Sequence, residues 1–118
     1  MIFGFFENNN LIGYGGLVHI DWESKNAEIS FIIETERNEN EEVFSTDFSA
    51  FLNIIFSIAF DSLQFIKLHT TFYDTAYRMF YKKVIEEYGF IQEGKLKDHI
   101  LINGQIENVW IYSCFNIK

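Results

Sequence analysis

An α+β domain, built on a mixed and mostly antiparallel sheet flanked by helices, follows from three features of the sequence. Short aromatic and β-branched runs are separated by Asn-rich or Asn-Gly turns at both ends of the chain. Between them, two stretches repeat apolar residues at helical spacing. The 118 residues contain no Pro and no low-complexity segment, so residues 1–118 read as a single domain.

The elements follow in order. Residues 2–7 and 11–20 are aromatic and β-branched, split by Asn8, Asn9 and Asn10. Asparagine tolerates positive φ, so the pair reads as a hairpin. Residues 22–26 carry a second turn signal. Residues 27–34, AEISFIIE, read as a third strand, with the continuous apolar run of a strand buried on both faces. The polar run 34–42, ETERNENEE, reads as a loop. Phe44, Phe48, Phe51, Leu52, Ile55 and Ala59 then recur at helical spacing, and Ser45, Thr46 and Asp47 are competent N-caps, so a helix is expected over 45–62. Residues 65–72, FIKLHTTF, read as a strand. A second helix follows, with Tyr77, Tyr81, Val84, Ile85 and Tyr88 on one face, Asp74 or Thr75 as cap and Gly89 at its end. Residues 90–102 and 106–115 flank Asn103-Gly104, a strong hairpin signal.

The order strand–helix–strand over 27–34, 45–62 and 65–72 makes a βαβ unit. Ligands of such units gather beyond the carboxyl ends of the parallel strands. That places a candidate cleft near residues 32–36, 45–47 and 68–74.

Aromatic residues make up 19% of the chain, with 14 Phe, enough ring surface for a core. The composition excludes a disordered acidic tail. No run of about 18 apolar residues reads as a membrane span, and the N-terminus has no basic region ahead of its apolar residues, so it is not a signal peptide. The single Cys114 excludes an intramolecular disulfide and a Cys-rich zinc site, and reads as a small buried apolar residue. The expected compartment is the cytoplasm. His19, His69 and His99 fall on three different expected strands without metal-ligand spacing, so no metal is expected. Gly13, Gly15 and Gly16 lie inside a strand and read as a bulge or a close packing site.

The formal charge of −8 is uneven: residues 1–59 carry ten acids against Lys25 and Arg37, whereas the second half is balanced. A negative lobe repels nucleic acid and anionic membranes and suits a cationic partner such as an amine. It also serves as a solvated face that keeps the protein soluble.

Three segments carry a family resemblance. Residues 11–33, LIGYGGLVHIDWESKNAEISFII, pair a hydrophobic strand with a second strand of AEI type. Residues 59–63, AFDSL, look like the end of a crossover helix, and residues 88–99, YGFIQEGKLKDH, are close to a GF-x-x-EG-x-L-x-x-H segment. With the Asn103-Gly104 hairpin, this ordered set resembles the GCN5-related N-acetyltransferase (GNAT) superfamily, in the branch acting on small-molecule amines and amino sugars.

The resemblance implies a GNAT-like fold of α/β/α layers, in a short and degenerate member lacking the usual first strand and two helices. It implies acetyl transfer from acetyl-CoA to a primary amine, such as an amino sugar, a polyamine or an amino-acid-like acceptor. Backbone groups of Phe31, Ile32 and Ile33 would hold the thioester and pantetheine, with the Ile33 amide polarising the carbonyl. Tyr81 would protonate the leaving thiolate, ahead of Tyr77 and Tyr88, and Glu28 or Glu34 would act as base. Ser45 and Thr46 would face the phosphates, Lys67 or Arg78 would supply charge, Asp74 would take the place of the family's Asn, and His69 would touch substrate.

The family's glycine-rich phosphate loop has no glycine in the corresponding stretch 43–48, and acids flank it. Weak or atypical acetyl-CoA binding is therefore expected. The alternative function is a non-catalytic module of the same fold that binds a ligand or partner. An uncovered sheet edge and apolar surface lead to an expected homodimer.

Overall fold

The computed structural model describes residues 1–73 and 76–116, with the side chains of all of these except 76–78. Strands β1 (Ile2–Glu7), β2 (Asn10–Asp21) and β3 (Asn26–Ile33) come first. Helices α1 (Thr35–Asn38) and α2 (Glu41–Phe56) follow, and α2 continues into a π-helical turn, Ser57–Ser62. Strand β4 (Lys67–Tyr73), helix α3 (Ala76–Glu87) and strands β5 (Ile91–Ile102) and β6 (Gln105–Phe115) complete the chain. The six strands form one sheet in the order β1-β2-β3-β4-β6-β5. Only β3 and β4 are parallel, so the mixed, mostly antiparallel sheet is the one the sequence predicts.

Local chemistry sets the turns. Asn8 and Asn9 have φ of 50° and 67°, and Asn103 and Gly104 have 50° and 79°, the two positive φ values that a tight hairpin requires. Gly89 ends α3 at φ 92°. The glycines of β2 serve close approach: a Cβ on Gly16 would lie 1.9 Å from the Met1 carbonyl oxygen.

The start of the crossover helix differs from the sequence reading. Asn40 caps α2, its Oδ1 accepting from the Val43 amide at 3.1 Å, and Glu41 and Glu42 fill the first turn, where they complement the helix dipole. That earlier cap leaves Ser45, Thr46 and Asp47 inside the helix, and the Thr46 hydroxyl donates back to the Glu42 carbonyl. The polar run before it is not all loop, since residues 35–38 coil into α1.

Strand β3 also departs from burial on both faces. Ala27 and Ile29 are buried, whereas Ile32 is 65% exposed, so the strand alternates. The core lies on one side of the sheet. The Phe31 ring stacks on Phe48 at 4.9 Å and on Phe51 at 5.0 Å. Tyr81 of α3 stacks on Phe48 at 4.6 Å and packs on Phe72 of β4, which places α2 and α3 on the same face. On the other face Tyr14 and Ile32 are exposed.

The segment Glu41–Ser62 is long and apolar enough to cross a membrane by length and composition, contrary to the sequence reading. Its phenylalanines are core here: Phe44, Phe48 and Phe51 are at most 2% exposed, and they pack against the sheet.

Candidate active site

Strands β3 and β4 pair across only three positions, Asn26–Lys67, Ala27–Leu68 and Glu28–His69. Each then follows its other neighbour. β3 stays paired with β2 as far as Ile33, and β4 stays paired with β6 as far as Tyr73. The sheet splits between them, and a cleft of about 350 Å³ occupies the split.

The backbone of β3 meets this cleft in a defined way. The Glu34 amide donates to the Ile12 carbonyl at 3.0 Å, and the Ser30 and Ile32 carbonyl oxygens crowd the Cβ positions of Gly15 and Gly13 on β2. Peptide groups alternate sides along a strand. The amides of Phe31 and Ile33 therefore face the β4 side, beyond the last β3–β4 pair. They are donors of the kind that stabilise a developing oxyanion.

The cleft passes through the plane of the sheet. Phe31, Thr70 and Tyr81 line it from the helix side. Glu28, Ser30 and His19 line it from the opposite side. Tyr81 is 4% exposed and Thr70 2% exposed, and their hydroxyls are hydrogen-bonded to each other. Thr70 and Phe72 alternate with Thr71 and Tyr73, so β4 feeds both sides of the opening.

Glu28 is half-buried and stands beside His69 across the β3–β4 pair. Burial holds the His69 imidazole below its ordinary value, against the attraction of Glu28. His19 reaches the same place from a bulge in β2. Between Val18–Glu28 and Asp21–Asn26 the β2 strand carries one residue more than β3, and His19 there has φ of 49°. A bulge of this kind re-aims a side chain.

The sequence-derived site is thus assembled in part. Tyr81, Glu28, Phe31 and Ile32 line one cleft, with the Ile33 amide at its edge. His69 adjoins Glu28 but is not in the lining. Glu34 is exposed and belongs to a separate recess with Leu11, Tyr14 and Ile32, because its backbone is tied to β2. Ser45 and Thr46 lie in the second turn of α2, away from its capped end. Asp74 and the Arg78 side chain lie outside the described residues, as does the Tyr77 side chain. Tyr88 bonds to the Ser49 carbonyl and Asn53 Oδ1, which holds α3 to α2, and Lys67 pairs with Glu93 at 2.6 Å. Cys114 is 7% exposed, and burial pushes its thiol up.

His19 and Thr70 are what sequence reasoning missed. Nothing in the sequence announces a left-handed conformation at His19. Thr70 had a signal: a hydroxyl between Leu68 and Phe72 on the buried face of β4 needs a partner there.

In the turn after β3, five successive or near-successive amides are already engaged within the chain. The amides of Asn38 and Glu39 donate to the carbonyls of Glu34 and Thr35, and that of Asn40 donates to Arg37. Val43 and Phe44 are held by the Asn40 side chain and carbonyl. Arg37 is engaged as well, with Nε on Asp47 at 2.7 Å and both terminal nitrogens on Glu7 at 3.2 Å. Lys83 pairs with Glu41 at 3.4 Å. Among the described residues, the split offers amide donors suited to a thioester and an amide-containing arm, whereas the start of α2 offers engaged amides at 38–40 and 43–44 and acidic side chains around them.

The acetyltransferase (GNAT) domain family matches residues 1–110. No curated protein matches the chain. Among solved structures, mutant forms of the spermidine/spermine N-acetyltransferase SpeG from Vibrio cholerae are similar at a TM-score of 0.80 and 24% identity, over 98% of this chain and 66% of that one. SpeG in complex with manganese ions is similar at a TM-score of 0.75 and 25% identity, over 92% of this chain and 59% of that one. A probable acetyltransferase is similar at a TM-score of 0.76 and 24% identity, over 95% of this chain and 59% of that one. The chain thus spans between 59% and 66% of the length of these proteins, and the likeness is one of fold.

Proposed function

This chain belongs to the GNAT acetyltransferase family, and from that membership we propose that it moves an acetyl group from a thioester to the primary amine of a small molecule. Acetyl-CoA is the family's usual donor. The observation that carries the reading is the through-sheet cleft, which has a buried phenol on one side and a carboxylate on the other. A leaving thiolate and an attacking amine need acid and base on opposite sides of the same carbonyl.

In this reading the amine nitrogen bonds to the carbonyl carbon, and the C–S bond breaks with its electron pair on sulfur. The Ile33 amide stabilises the negative oxygen of the tetrahedral intermediate, and Phe31 and Ile32 seat the donor arm. Tyr81 gives its phenolic proton to the thiolate. Glu28 takes the proton that the ammonium loses before attack, with His19 and His69 beside it, and the second proton, shed as the nitrogen becomes an amide, restores the Tyr81 phenol.

A small polyamine-like amine suits the acidic first half of the chain, and spermidine acetyltransferases share the fold. The exposed Tyr14 and Ile32 on the bare sheet face support a homodimer, and one solved neighbour is described as dodecameric. Sedimentation at increasing concentration tests this, and a monomer throughout overturns it. A cytoplasmic location accords with the lone cysteine.

The reaction is tested by following thiol release from acetyl-CoA, and from acetyl-pantetheine at high concentration, with a panel of amines that includes spermidine and amino sugars. Amine-dependent release supports the reading. No release from either donor with any amine overturns it and leaves a non-catalytic binding module.

A further inference from the structure

Resting on that acetyl-transfer reading, we propose that the donor is selected through its acyl-pantetheine arm alone, so that S-acetyl pantetheine without a nucleotide serves as well as acetyl-CoA. Three observations carry this.

The first is the state of the backbone between β3 and α2. A pyrophosphate is held by amides that point outward with nothing else to bond. Here the amides of Asn38, Glu39, Asn40, Val43 and Phe44 all end on oxygens of this chain. At the helix start the Asn40 side chain takes the Val43 amide, and the first turn carries the carboxylates of Glu41 and Glu42.

The second is charge. Glu34, Glu36, Glu39, Glu41 and Glu42 are all exposed around that turn. A nucleotide bearing a pyrophosphate and a further phosphate meets repulsion there, which salt screens. The pantetheine arm is neutral and meets none. The cations described nearby, Arg37 and Lys83, are paired with Glu7, Asp47 and Glu41.

The third is the contrast with the split itself. Beyond Glu28 the β3 amides of Phe31 and Ile33 lie outside the β3–β4 pairing, at the edge of a cleft that the Tyr81 phenol also lines. The chain keeps hydrogen-bonding capacity where an amide-containing arm and a thioester would lie. Where the nucleotide would lie, five amides are already engaged within the chain and the flanking side chains are acidic.

The test compares initial rates of the full chain with acetyl-CoA and with acetyl-pantetheine, at low and moderate salt, using an amine that supports transfer. The expected kcat/KM for acetyl-pantetheine is within about threefold of that for acetyl-CoA. Moderate salt raises the acetyl-CoA value and leaves the acetyl-pantetheine value unchanged. The double variant Glu41→Gln, Glu42→Gln raises the acetyl-CoA value several-fold and leaves the other donor unchanged. A preference for acetyl-CoA of about a hundredfold or more overturns the proposal while leaving acetyl transfer standing. So does a fall in the acetyl-CoA rate on adding salt. Transfer from neither donor overturns the acetyl-transfer reading, and this one with it.

Discussion

The hydroxyls of Thr70 on β4 and Tyr81 on α3 are hydrogen-bonded to each other in a region where both residues are almost fully buried. Thr70 lies one position past His69, the last residue at which β4 still pairs with β3. The bond therefore fixes a phenol at the point where the sheet opens. The stack on Phe48 and the packing on Phe72 prevent the ring from swinging away. A buried hydroxyl pair of this kind is costly to break, because either partner alone leaves a polar group without water.

Tyr81→Phe is expected to lower kcat for acetyl transfer by about 10²–10⁴-fold, the range of a lost general acid, with little change in donor KM. The ring stack survives, and Thr70 loses its partner, so stability falls by about 1–3 kcal/mol. Thr70→Val is expected to lower kcat less, since it loosens the phenol without removing it. Initial rates together with urea denaturation separate the two effects. An undiminished kcat in Tyr81→Phe would remove the phenol from the mechanism.

Burial of His69 makes a prediction about pH. Its folded pKa lies below the ordinary value of 6.5, with burial as the main cause and Glu28 pulling the other way. As pH falls past that ordinary value, the unfolded chain takes up a proton that the folded chain refuses. Folded stability from this group is complete above that value. It is lost as pH falls towards the lowered folded pKa, and it levels off below that. His69→Gln carries no titration, so its Tm should fall less than that of the parent between about pH 7 and pH 5. Equal losses in the two proteins would show that His69 is not held neutral by its surroundings.

The sheet and its hairpins were legible because their signals are local. Asn8-Asn9 and Asn103-Gly104 adopt the positive φ values that their side chains allow, and the Phe44–Phe48–Phe51 spacing faces the core as a helix of period 3.6 must. The start of α2 was misplaced because several residues were competent caps. Asn40 prevails over Ser45 because Glu41 and Glu42 then fall in the first turn, where the helix dipole favours acids. In the site, Glu28 and Tyr81 could be named from the sequence, but their placement across one cleft depends on where β3 and β4 part. No local signal encodes that. The placement of the exposed His19 at the cleft depends on a bulge, which is a property of two strands together.

Arg37 ties three elements together: it sits on α1 and bonds Asp47 of α2 and Glu7 of β1. Its side chain is 20% exposed, and Asp47 is 15% exposed. Solvent screening limits such pairs, so Arg37→Met is expected to cost only about 1 kcal/mol. The cost should shrink at high salt. Urea denaturation at two salt concentrations checks both points. A salt-independent loss would mean that the alkyl stem, not the charge, holds the corner.

Gly16 and Gly94 offer a paired test of how closely β1 is held. The Leu17 amide donates to the Met1 carbonyl at 2.8 Å, and Ile2 pairs with Gly16. A Cβ at Gly16 would lie 1.9 Å from that carbonyl oxygen, so β1 must shift. β1 carries Phe5, whose ring meets Phe51 edge-on at 5.7 Å, so the shift disturbs the core as well as the strand. Gly16→Ala is therefore expected to destabilise by about 1–3 kcal/mol. At Gly94 the nearest atom to a Cβ is 3.6 Å away on the Ile111 side chain, an ordinary contact. Gly94→Ala should stay within about 0.5 kcal/mol of the parent. Thermal or urea denaturation of the two variants decides it. Similar losses at both positions would show that glycine in these strands answers to backbone flexibility, and that the close approach of β1 is not what selects it.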